Sequence, residues 1–495
     1  MSCKSPGRTW TIALVAMKTR GSTSLGAVLG AACGRKDFQF ELVGDAETVI
    51  TDVTHSTASV IPGALFVCIT GENVDGHELA QLAIDAGAVA LLVERRLPIS
   101  IPQIVVADSR KIQGVIAAAF WGFPSDELLV VAVTGTNGKT TTSHLLGSIL
   151  RQHGLRTEVM GTLSGSRTTA ESTDLQRQLA HFVDRDVQGV VMEVTSHAMV
   201  LHRVEGTQFA LAIFTNLSPE HLDLHGTMER YFAAKASLFT TAFTSVGIVN
   251  SDDVHGRLIA DTNEIKCLTF SVNDVQDVSA SASSHEFSWR THQVKVNVGG
   301  KFNVSNSLAA VTAAVQLGVS ESDIVAGLAA AETVPGRFER VTSSIGFDVV
   351  VDYAHTPDAL QQVLLAARDV VGTKHRVFIV FGCGGDRDSE KRPVMGAIAA
   401  KFADYVVVTS DNPRSESPAV IAQNIIDGIG TQSANTIVTT ELDRRLAIQL
   451  ALNSASSGDI VVIAGKGHEK NQTIGTDVLP FDDVATVRDI LGVVS

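Results

Sequence analysis

The stretch Val130-Val-Ala-Val-Thr-Gly-Thr-Asn-Gly-Lys-Thr-Thr-Thr142 decides the fold of the central part of this chain. The apolar run from Leu128 to Val133 predicts a buried strand, and the apolar spacing from His144 to Leu150 predicts a helix. A glycine turn between a strand and a helix directs backbone N–H groups and the helix N-terminus at phosphate groups. In such a loop Lys139 bridges the outer phosphates, and the hydroxyl of Thr140 is able to ligate Mg²⁺.

The alternative is a chance glycine-rich turn, because the first glycine of the common phosphate-loop pattern is Val133 here. The strand and the helix on either side favour a nucleotide site over that alternative. We therefore predict that this loop binds a nucleotide.

Composition restricts the class of protein. The chain has 495 residues, of which 45% are hydrophobic and 5% aromatic, as is typical of packed α/β domains, and its length suggests about three domains. The formal net charge of −14 argues against non-specific binding to nucleic acid or to a membrane surface. We expect small-molecule substrates, no nucleic-acid or membrane partner, and a monomer.

The five cysteines are scattered without a CxxC pair, which fits reduced thiols in the cytoplasm better than disulfides or a zinc site. The N-terminal segment has a basic start and a short apolar run, but Lys18 and Arg20 interrupt it and no cleavage pattern follows. We expect neither a signal peptide nor a transmembrane helix, and a cytoplasmic location.

Strand and helix patterns alternate along the whole chain, which predicts three α/β units. We place them at residues 1–126, 127–338 and 339–495. The boundaries fall at Trp121-Gly-Phe-Pro-Ser125 and at Val334-Pro-Gly-Arg-Phe-Glu339, where Pro and Gly interrupt regular structure. The segment Val278–Ser284 is predicted to be a surface loop.

The strands of the central unit deliver polar residues to their carboxyl ends, where ligands gather in parallel sheets. Glu193 ends one such strand and is placed to reach a metal held by Thr140, unless it faces solvent. His221, Asp223 and His225 follow another strand and suit a metal or a phosphate, although a solvated loop is equally compatible.

Other central residues leave two interpretations open. Lys235 lies on an apolar helix and either extends to water or enters a phosphate or metal pocket. Asn303 and Asn306 precede an Ala-rich helix that we predict from Ser307 to Leu317, and both suit helix caps.

The third unit repeats the pattern with four strands that end in charged or glycine-rich turns. These turns carry Arg387, Arg414, Lys466 and Glu469. Together they predict a cleft for an anionic or zwitterionic ligand.

Taken together, these motifs resemble the Mur ligases. The resemblance rests on Thr134-Gly-Thr-Asn-Gly-Lys-Thr-Thr, Met192-Glu-Val-Thr-Ser-His, Phe214-Thr-Asn-Leu-Ser-Pro-Glu-His-Leu-Asp, Ala233-Ala-Lys-Ala-Ser-Leu-Phe and Asp352-Tyr-Ala-His-Thr-Pro-Asp. Gly382-Cys-Gly-Gly-Asp-Arg-Asp, Asp411-Asn-Pro-Arg and Gly465-Lys-Gly-His-Glu narrow it to members that add the third residue of the peptidoglycan stem peptide.

The resemblance implies a fold of three domains: an N-terminal domain for the uridine nucleotide, a central phosphate-loop parallel-sheet domain for ATP, and a Rossmann-like C-terminal domain for the amino acid. It also implies an ATP-dependent ligase. ATP would phosphorylate the D-glutamate carboxylate of UDP-MurNAc-L-Ala-D-Glu, and the amine of the amino acid would then displace phosphate. Positioning and charge neutralisation by Mg²⁺ and Lys139 suit this chemistry.

The resemblance also assigns residues to roles. Catalysis falls to Lys139, Lys235 and His221, and magnesium to Thr140, Glu193, His221 and Lys235, the last at the position that the family carbamylates. ATP falls to Gly135, Thr136, Asn137, Gly138, Lys139, Thr140, Thr141, Asn303, Arg337 and His355. The UDP substrate falls to Thr57, Thr168, Thr169, Thr195 and Arg203. The amino acid falls to Arg387, Asp411, Asn412, Pro413, Arg414, Gly465 and Glu469.

The chain departs from the family at several positions near the UDP substrate. Ser56-Thr57-Ala58 stands where Asp-Ser-Arg is usual, Ala170 replaces a proline, Thr195 replaces a serine, and Leu201 replaces a glutamine found in some members. A threonine hydroxyl substitutes for that of serine, but the uridine and muramic-acid contacts are open.

In the family, Asp-Asn-Pro-Arg marks enzymes that use meso-diaminopimelate, because the arginine pairs with the distal carboxylate. We expect diaminopimelate, with L-lysine or L-ornithine as the alternative. A folylpolyglutamate synthetase, another Mur ligase, a plain ATPase or kinase, and a non-catalytic nucleotide-binding regulator are further alternatives. The motifs of the third unit and the presence of Lys139, Glu193 and Lys235 argue against them.

Overall fold

The structure is a computed structural model that describes residues 21–71, 74–165, 167–262, 264–341, 345–430 and 436–492. The N-terminal segment that we weighed as a signal peptide, residues 1–20 with Cys3, lies outside the described residues. Contacts divide the chain into two compact units. One comprises the chain up to Pro124 with Ser172–Ala180 and Glu205–Thr207, and the other comprises Ser125–Glu171, His181–Val204 and the chain from Gln208 onward.

The first unit is a small α/β body around a five-stranded sheet of order β2-β7-β6-β5-β4, in which only the β2–β7 pair is antiparallel. Its central strands are fully buried because they are apolar on both faces. Its described elements are β1 (Thr23–Ser24), α1 (Leu25–Cys33), β2 (Phe40–Val43), β3 (Val49–Ile50), β4 (Asp52–Thr54), β5 (Ala64–Val67), α2 (Ala80–Asp85), β6 (Ala90–Val93), β7 (Gln103–Val106) and α3 (Ser109–Phe120).

The second unit contains two parallel sheets, of which the first has the order β13-β12-β11-β8-β10-β9. The predicted strand before the phosphate loop, β8, is central in this sheet. The strands are β8 (Leu129–Thr134), β9 (Thr157–Met160), β10 (Gly189–Glu193), β11 (Leu211–Phe214), β12 (Val246–Asn250) and β13 (Lys266–Phe270). The helices of this part are α4 (Lys139–Gln152), α6 (Ser196–Val200), α7 (Leu222–His225), α8 (Met228–Ala236) and α9 (Val254–Thr262). Helix α5 (Ser172–Asp184) belongs to the first unit over Ser172–Ala180 and to the second unit from His181 onward.

Two details between the parallel sheets differ from the sequence predictions. The segment Val278–Ser284 is not all loop, because β14 (Gln276–Ala280) pairs with β15 (His285–Trp289), which in turn pairs with β16 (His292–Val296). Helix α10 (Asn303–Gln316) begins before Ser307, so Asn303 and Asn306 lie inside it and are not caps. Helix α11 (Glu321–Ala329) follows.

The second parallel sheet has the order β17-β18-β22-β19-β20-β21, with an antiparallel edge strand, β17. Its strands are β17 (Glu339–Val341), β18 (Asp348–Asp352), β19 (Val377–Phe381), β20 (Tyr405–Val408), β21 (Ile437–Thr440) and β22 (Ile460–Ala464), followed by the hairpin β23 (Asn471–Ile474) and β24 (Asp477–Pro480). Its helices are α12 (Pro357–Val371), α13 (Lys391–Phe402), α14 (Pro418–Ile429), α15 (Arg444–Ser454) and α16 (Asp483–Leu491).

Side-chain caps start several of these helices where the sequence places a short polar residue. Thr356 accepts a hydrogen bond from the N–H of Ala359 ahead of α12, which has Pro357 at its first position. Asp443 and Asp482 cap α15 and α16 in the same way. The mixed α/β architecture with parallel sheets confirms the predicted fold class, while the boundaries near residues 126 and 338 stay predictions.

The segment Val334–Glu339, which we predicted as a domain boundary, is a site of close backbone approach. Gly336 has φ of +63°, and a Cβ there would lie 2.1 Å from the backbone nitrogen of His468. Gly467 has φ of +52°, and its Cβ would lie 2.8 Å from the carbonyl oxygen of Gly336. Only glycine fits either position.

Among the described residues no helix is long and apolar enough to cross a membrane. Within the same ranges Cys33, Cys68, Cys267 and Cys383 are free thiols, and Cys68 and Cys383 are buried. Their separation agrees with the absence of a CxxC pattern in the sequence.

Candidate active site

The loop between β8 and α4 has the conformation of a phosphate-binding turn. Gly135 and Gly138 have φ of +148° and +84°. A Cβ on Gly135 would lie 1.9 Å from Oγ1 of Thr215, and one on Gly138 would lie 2.2 Å from Oδ1 of Asn306. Both positions therefore require glycine. The loop ends at the N-terminus of a 14-residue helix, α4, where N–H groups and the helix dipole favour an anion.

Side chains from the segment after strand β11 and from helix α8 hold this loop in place. The N–H of Asn137 donates to Oδ1 of Asn216 at 2.9 Å, and the hydroxyl of Thr215 donates to the carbonyl of Asn137 at 2.6 Å. The hydroxyls of Thr136 and Tyr231 lie 3.0 Å apart. Such contacts fix the loop before any ligand arrives, which lowers the cost of binding.

Two lysine ammonium groups meet on one carbonyl of the loop. Lys139 donates to the carbonyl of Gly135 at 3.0 Å and to that of Thr136 at 2.8 Å. Lys235 donates to the carbonyl of Gly135 at 2.7 Å, and its side chain is buried. Lys235 is therefore drawn into the phosphate pocket and does not extend to water.

Burial lowers the pKa of Lys139, because the charged form loses its hydration. Burial and then the charge of Lys139 lower the pKa of Lys235 well below its ordinary value. The region thus concentrates positive charge that an anion would stabilise. A neutral amine at Lys235 is also nucleophilic.

Thr140 and Glu193 supply oxygen atoms next to these lysines. Oγ1 of Thr140 accepts a hydrogen bond from Nη2 of Arg337 at 3.1 Å. The carboxylate of Glu193 accepts from the N–H of Thr162 at 2.9 Å and from its hydroxyl at 3.1 Å. Both residues are almost fully buried, so Glu193 does not face solvent.

A histidine cluster lies beside the loop. The ring of His221 lies 4.6 Å from that of His197, and His225 contacts the hydroxyl of Ser196 at 3.0 Å. Burial lowers the pKa of His221 to about 4, so its ring is neutral at pH 7 and able to accept a proton or a metal. Asp223, which we grouped with His221 and His225, is exposed.

Glu220 is a site residue that sequence reasoning missed. Its carboxylate lies 3.2 Å from Nε2 of His355 and 3.5 Å from Nε2 of His221. Burial would raise the pKa of Glu220, but the hydrogen bond with His355 and the neighbouring positive groups hold it below its ordinary value. The only sequence signal was its place next to His221.

Residues 337–358 also reach the phosphate loop. Nδ2 of Asn137 donates to Oδ2 of Asp358 at 2.9 Å, a contact that the sequence did not predict. The guanidinium of Arg337 stacks on Tyr353 at 4.5 Å. Asn303, which stays a prediction for the ATP side, is buried at the start of α10, where its Nδ2 donates to the carbonyl of Gly299 at 2.6 Å.

A cavity of about 1010 Å³ joins these groups. It is large enough for a nucleotide and part of a second substrate. Of the predicted site residues, it is lined by Thr136, Asn137, Gly138, Lys139, Thr140, Thr141, Thr168, Thr169, Glu193, Thr195, Arg203, His221, Arg337, His355 and Arg387. Gly135 and Lys235 lie immediately behind this lining through the contacts described above.

The residues predicted for the UDP substrate fall in two places. The hydroxyl of Thr169 donates to the carbonyl of Glu193 at 2.9 Å and accepts from the N–H of Thr195 at 3.2 Å. Arg203 pairs with Glu171 at 2.9 Å. Thr57 begins a short 3₁₀ helix, Thr57–Ser59, in the first unit.

The residues predicted for the amino acid lie on the turns after β19, β20 and β22. Nη1 of Arg414 donates to the carbonyl of Gly385 at 2.7 Å, and Nδ2 of Asn412 donates to Oε2 of Glu469 at 2.9 Å. Gly465 has φ of +111°, and a Cβ there would lie 2.5 Å from Oδ2 of Asp411. Asp411, Asn412 and Pro413 are buried, and Arg387 is exposed.

Comparison with known proteins agrees with this arrangement. Three family models match: the Mur ligase family catalytic domain over residues 49–123, the Mur ligase middle domain over 133–314, and the Mur ligase glutamate ligase domain over 336–467. A UDP-N-acetylmuramoyl-L-alanyl-D-glutamate--2,6-diaminopimelate ligase from Alkaliphilus metalliredigens is 40% identical over 476 residues, which cover 91% of this chain and 95% of that protein.

Two solved structures are similar to this chain. A structure named as UDP-N-acetylmuramoyl-L-alanyl-D-glutamate--2,6-diaminopimelate ligase is 33% identical, with a TM-score of 0.64 over 91% of this chain and 97% of its own. A MurF ligase from Thermotoga maritima in complex with ADP shares the fold at 20% identity, with a TM-score of 0.62 over 89% of this chain and 96% of its own. Three matched domains and a relative that spans nearly the whole sequence lead to one conclusion: this chain belongs to the Mur ligase family.

Proposed function

We propose that this chain is the ATP-dependent ligase that adds meso-2,6-diaminopimelate to UDP-N-acetylmuramoyl-L-Ala-D-Glu during peptidoglycan precursor synthesis. The observation that carries this proposal is a single cavity shared by the phosphate loop, by Glu193 and Arg203, and by Arg337, His355 and Arg387. A ligase that joins three substrates must bind their reacting groups in one shared space. The names of the relatives support the substrate and the amino acid.

ATP fits the phosphate loop. The N–H groups at the start of α4 and the ammonium of Lys139 neutralise the phosphate charges, and Arg337 stands 3.1 Å from Thr140. The γ-phosphoryl group passes to the D-glutamate carboxylate and yields an acyl phosphate and ADP. The amine of the amino acid then attacks the acyl carbon, and the tetrahedral intermediate collapses to the amide with release of phosphate.

Magnesium fits the donor atoms of this site. The hydroxyl of Thr140 and the carboxylate of Glu193 are the hard oxygen ligands that Mg²⁺ prefers, and His221 is a neutral nitrogen donor close by. No cluster of three or more His, Cys, Asp or Glu among the described residues would enclose a metal, so phosphate oxygens and water would complete the shell. Bound there, Mg²⁺ would offset the charge that develops on the transferred phosphoryl group.

Lys235 enters this proposal as a carbamylated residue. As an ammonium it does not ligate a metal, but its lowered pKa favours the neutral amine, which reacts with CO₂. The reaction would release one proton and leave a carbamate anion whose oxygens could ligate Mg²⁺. A negative charge at Lys235 would also stabilise the ammonium of Lys139, which shares the carbonyl of Gly135 with it.

The arginine on the turn after β20 supports diaminopimelate as the amino acid. Within the part of the chain that the structure describes, the guanidinium of Arg414 makes one hydrogen bond, from Nη1 to the carbonyl of Gly385 at 2.7 Å. The rest of the guanidinium fork suits the distal carboxylate of the substrate, whereas the terminal ammonium of L-lysine would meet a like charge.

The scattered free cysteines support placement of the reaction in the cytoplasm, and we take the chain to act as a monomer.

The test is ADP release by the purified chain with ATP, Mg²⁺ and UDP-MurNAc-L-Ala-D-Glu, comparing meso-diaminopimelate, L-lysine and L-ornithine, with product mass measured in each case. A kcat/KM for diaminopimelate far above those for L-lysine and L-ornithine supports the whole proposal. Turnover with L-lysine or L-ornithine instead overturns the amino-acid assignment. No turnover that depends on an amino acid overturns the ligase assignment.

A further inference from the structure

Lys466 is a charged residue beside the amino-acid turns to which neither the family resemblance nor the mechanism above gives a role. Its side chain is completely buried. Its ammonium lies 2.6 Å from the carbonyl oxygen of Asn471, 3.2 Å from Oε2 of Glu469 and 3.4 Å from Oδ1 of Asn412. A lysine is rarely buried unless its charge is paired, and these three oxygens provide the polar partners that the buried ammonium needs.

The partners of Lys466 are the residues proposed to hold the amino acid. Asn412 donates from Nδ2 to the same oxygen of Glu469 that Lys466 contacts, at 2.9 Å. Oδ1 of Asn412 also accepts from the N–H of Thr473 at 2.9 Å. Lys466 thus joins the turn after β20, the turn after β22 and strand β23 into one block.

The same block sets the backbone of Arg414. The N–H of Arg414 donates to the carbonyl of Thr473 at 3.1 Å, and the N–H of Gly475 donates to the carbonyl of Arg414 at 2.7 Å. Arg414 has φ of +50°, a conformation that a non-glycine residue keeps only where its surroundings enforce it. The ammonium of Lys466 therefore contacts Glu469 directly and is connected to the backbone of Arg414 through Asn412 and Thr473.

The charge of Lys466 has a consequence for selectivity. Glu469 is shared with an internal ammonium, so it offers less attraction to an ammonium on the substrate. A diamino acid with a second carboxylate carries no net charge, whereas one without it carries a net positive charge. An internal cation disfavours the second kind relative to the first.

Apart from Arg414, which acts directly on the distal group of the substrate in the proposed function, other charges near the pocket do not replace Lys466 in this respect. Arg444 and Asp483, buried beneath these turns, form a neutral pair at 2.7 Å. Arg392 and Glu416 form another at 2.8 Å. The hydrogen bonds of the Lys466 ammonium go to Asn412, Glu469 and Asn471, and none of them involves Asp411, Asp386 or Arg387.

We propose that Lys466 is a specificity-determining residue: an internal cation that neutralises Glu469, positions Asn412, and selects a net-neutral dicarboxylic diamino acid over a cationic one. This inference rests on the proposed function, because it concerns the same amino-acid pocket. Lys466 acts through Glu469 and Asn412 and is a positioning residue, without a step of its own in the reaction.

The first experiment measures kcat/KM for meso-diaminopimelate and for L-lysine, with saturating ATP, Mg²⁺ and UDP-MurNAc-L-Ala-D-Glu, in the wild type and in Lys466→Gln. We expect the diaminopimelate-to-lysine ratio to fall on the order of tenfold in Lys466→Gln, because one positive charge leaves the pocket. The amide of glutamine still donates to the carbonyl of Asn471, which favours folding. KM for ATP should stay unchanged.

Two variants serve as controls. Lys466→Arg keeps the charge and should hold the ratio within about twofold of the wild type. Lys470→Gln removes the same charge from an exposed position four residues further along the chain, and should also leave the ratio unchanged. An equal loss of activity toward both amino acids in Lys466→Gln, with the ratio unchanged, would mean a merely structural role and would overturn the inference.

A measurement on the wild type keeps the inference testable if Lys466→Gln does not fold. L-lysine and L-norleucine, which differ mainly in the terminal ammonium, are compared as competitors of the amino acid that the enzyme uses. We expect L-lysine to bind no more than about tenfold tighter than L-norleucine, because the ammonium of Lys466 already offsets the charge of Glu469 and Arg414 repels the terminal ammonium. Binding of L-lysine more than tenfold tighter than L-norleucine overturns the inference.

The two failures are distinguishable. If the wild type shows no turnover with any diamino acid, the proposed function is overturned, and the inference with it. If the wild type turns over but the ratio does not respond to Lys466→Gln, the proposed function stands and only the role of Lys466 is lost.

Discussion

The two six-stranded sheets differ in how the positive charges near the carboxyl ends of their strands are paired. After β8, Lys139 and Lys235 share the carbonyl of Gly135, and burial lowers the pKa of both. Near the ends of β20 and β22, buried cations are paired with carboxylates, as in Lys466 with Glu469 on the turn after β22 and in Arg444 of α15 with Asp483 of α16. Among the described residues, the two ammonium groups of the first sheet are thus uncompensated at contact distance, although Glu220 attracts both, whereas the second sheet pairs its cations directly with carboxylates.

This difference matches the ligands that we propose for each site. A polyphosphate brings several negative charges and is stabilised by cations that lack partners. A diamino acid with two carboxylates has no net charge, so a pocket with balanced charges is sufficient to orient it. Uncompensated charge should lower stability in exchange for function, whereas compensated charge should support both.

The largest effect should come from removing the uncompensated cation. Lys139→Met is expected to lower kcat by about 10³, because it deletes the ammonium that neutralises the transferred phosphoryl group. The free energy of unfolding should stay equal or rise, since a desolvated charge disappears. ADP release and urea denaturation measure both quantities, with Lys401→Met at an exposed site as the control. A stability loss that parallels the loss of activity would contradict the comparison.

The compensated region should respond in the opposite way. Arg444→Met leaves the carboxylate of Asp483 buried without its partner, which should lower the free energy of unfolding by about 3–5 kcal/mol. Arg444 also donates to the carbonyl of Ala464 at 3.0 Å, so KM for the amino acid should rise in the folded fraction. Urea denaturation checks the first effect and initial-rate kinetics the second.

The chain offers a matched control for that experiment. Arg445 forms an ion pair with Asp489 at the surface, on the same two helices. Arg445→Met should therefore change the stability by no more than a few tenths of a kcal/mol. The double variant Arg444→Met with Asp483→Leu should recover most of the lost stability, and its failure to do so would show that packing, not charge, dominates there.

A smaller effect should follow from filling the space at the phosphate loop. Gly138→Ala brings a Cβ to 2.2 Å from Oδ1 of Asn306 at φ of +84°. We expect kcat/KM for ATP to fall on the order of a hundredfold, because the loop must shift away from the phosphates. Gly154→Ala has φ of +92° with open space around it, and should cost stability without changing KM for ATP. Equal kinetics in the two variants would refute this prediction.

The smallest effect concerns acid stability. His285 is fully buried between the carbonyl of Val298 at 2.6 Å and the hydroxyl of Ser307 at 2.9 Å, and burial lowers its pKa to about 4. The unfolded chain therefore binds more protons than the folded chain between about pH 6.5 and 4. Stability is retained above that window and is lost as the pH falls through it.

The variant His285→Gln should flatten this dependence by at most one proton. Urea denaturation at several values between pH 4 and 7 measures the slope. His375→Gln, at an exposed position, should leave the slope unchanged. An unchanged slope in His285→Gln would assign the acid sensitivity to other groups, such as His221.

Much of this organisation was predictable from local patterns. The phosphate loop, its strand and its helix follow from a run of β-branched residues, two glycines and a helical apolar spacing. The turns after β19, β20 and β22 were predicted to share one edge because parallel strands end on the same side. The start of α10 was placed too late, because Asn303 was interpreted as a cap although it bonds to Gly299 from inside the helix.

Other features depend on pairings across the chain that no local pattern reports. Glu220 meets His355 135 positions away, and Asn137 meets Asp358 221 positions away. In the sequence, nothing distinguished Lys466 from the other residues of a charged turn. The folded structure shows that it is completely buried and bonded to Asn412 and Asn471. Burial and long-range partners, which decide the charge of a group, are properties of the fold.

The shared cavity also sets how the protein can be blocked. Because one space of about 1010 Å³ is lined by Lys139 at one part and Arg387 at another, a single molecule is able to occupy both subsites. A linker that joins two weak fragments raises the effective concentration of the second once the first is bound, and affinity then exceeds that of either fragment by orders of magnitude. An inhibitor of this kind would join two fragments, an anionic group for the phosphate loop and a carboxylate for the arginine subsite.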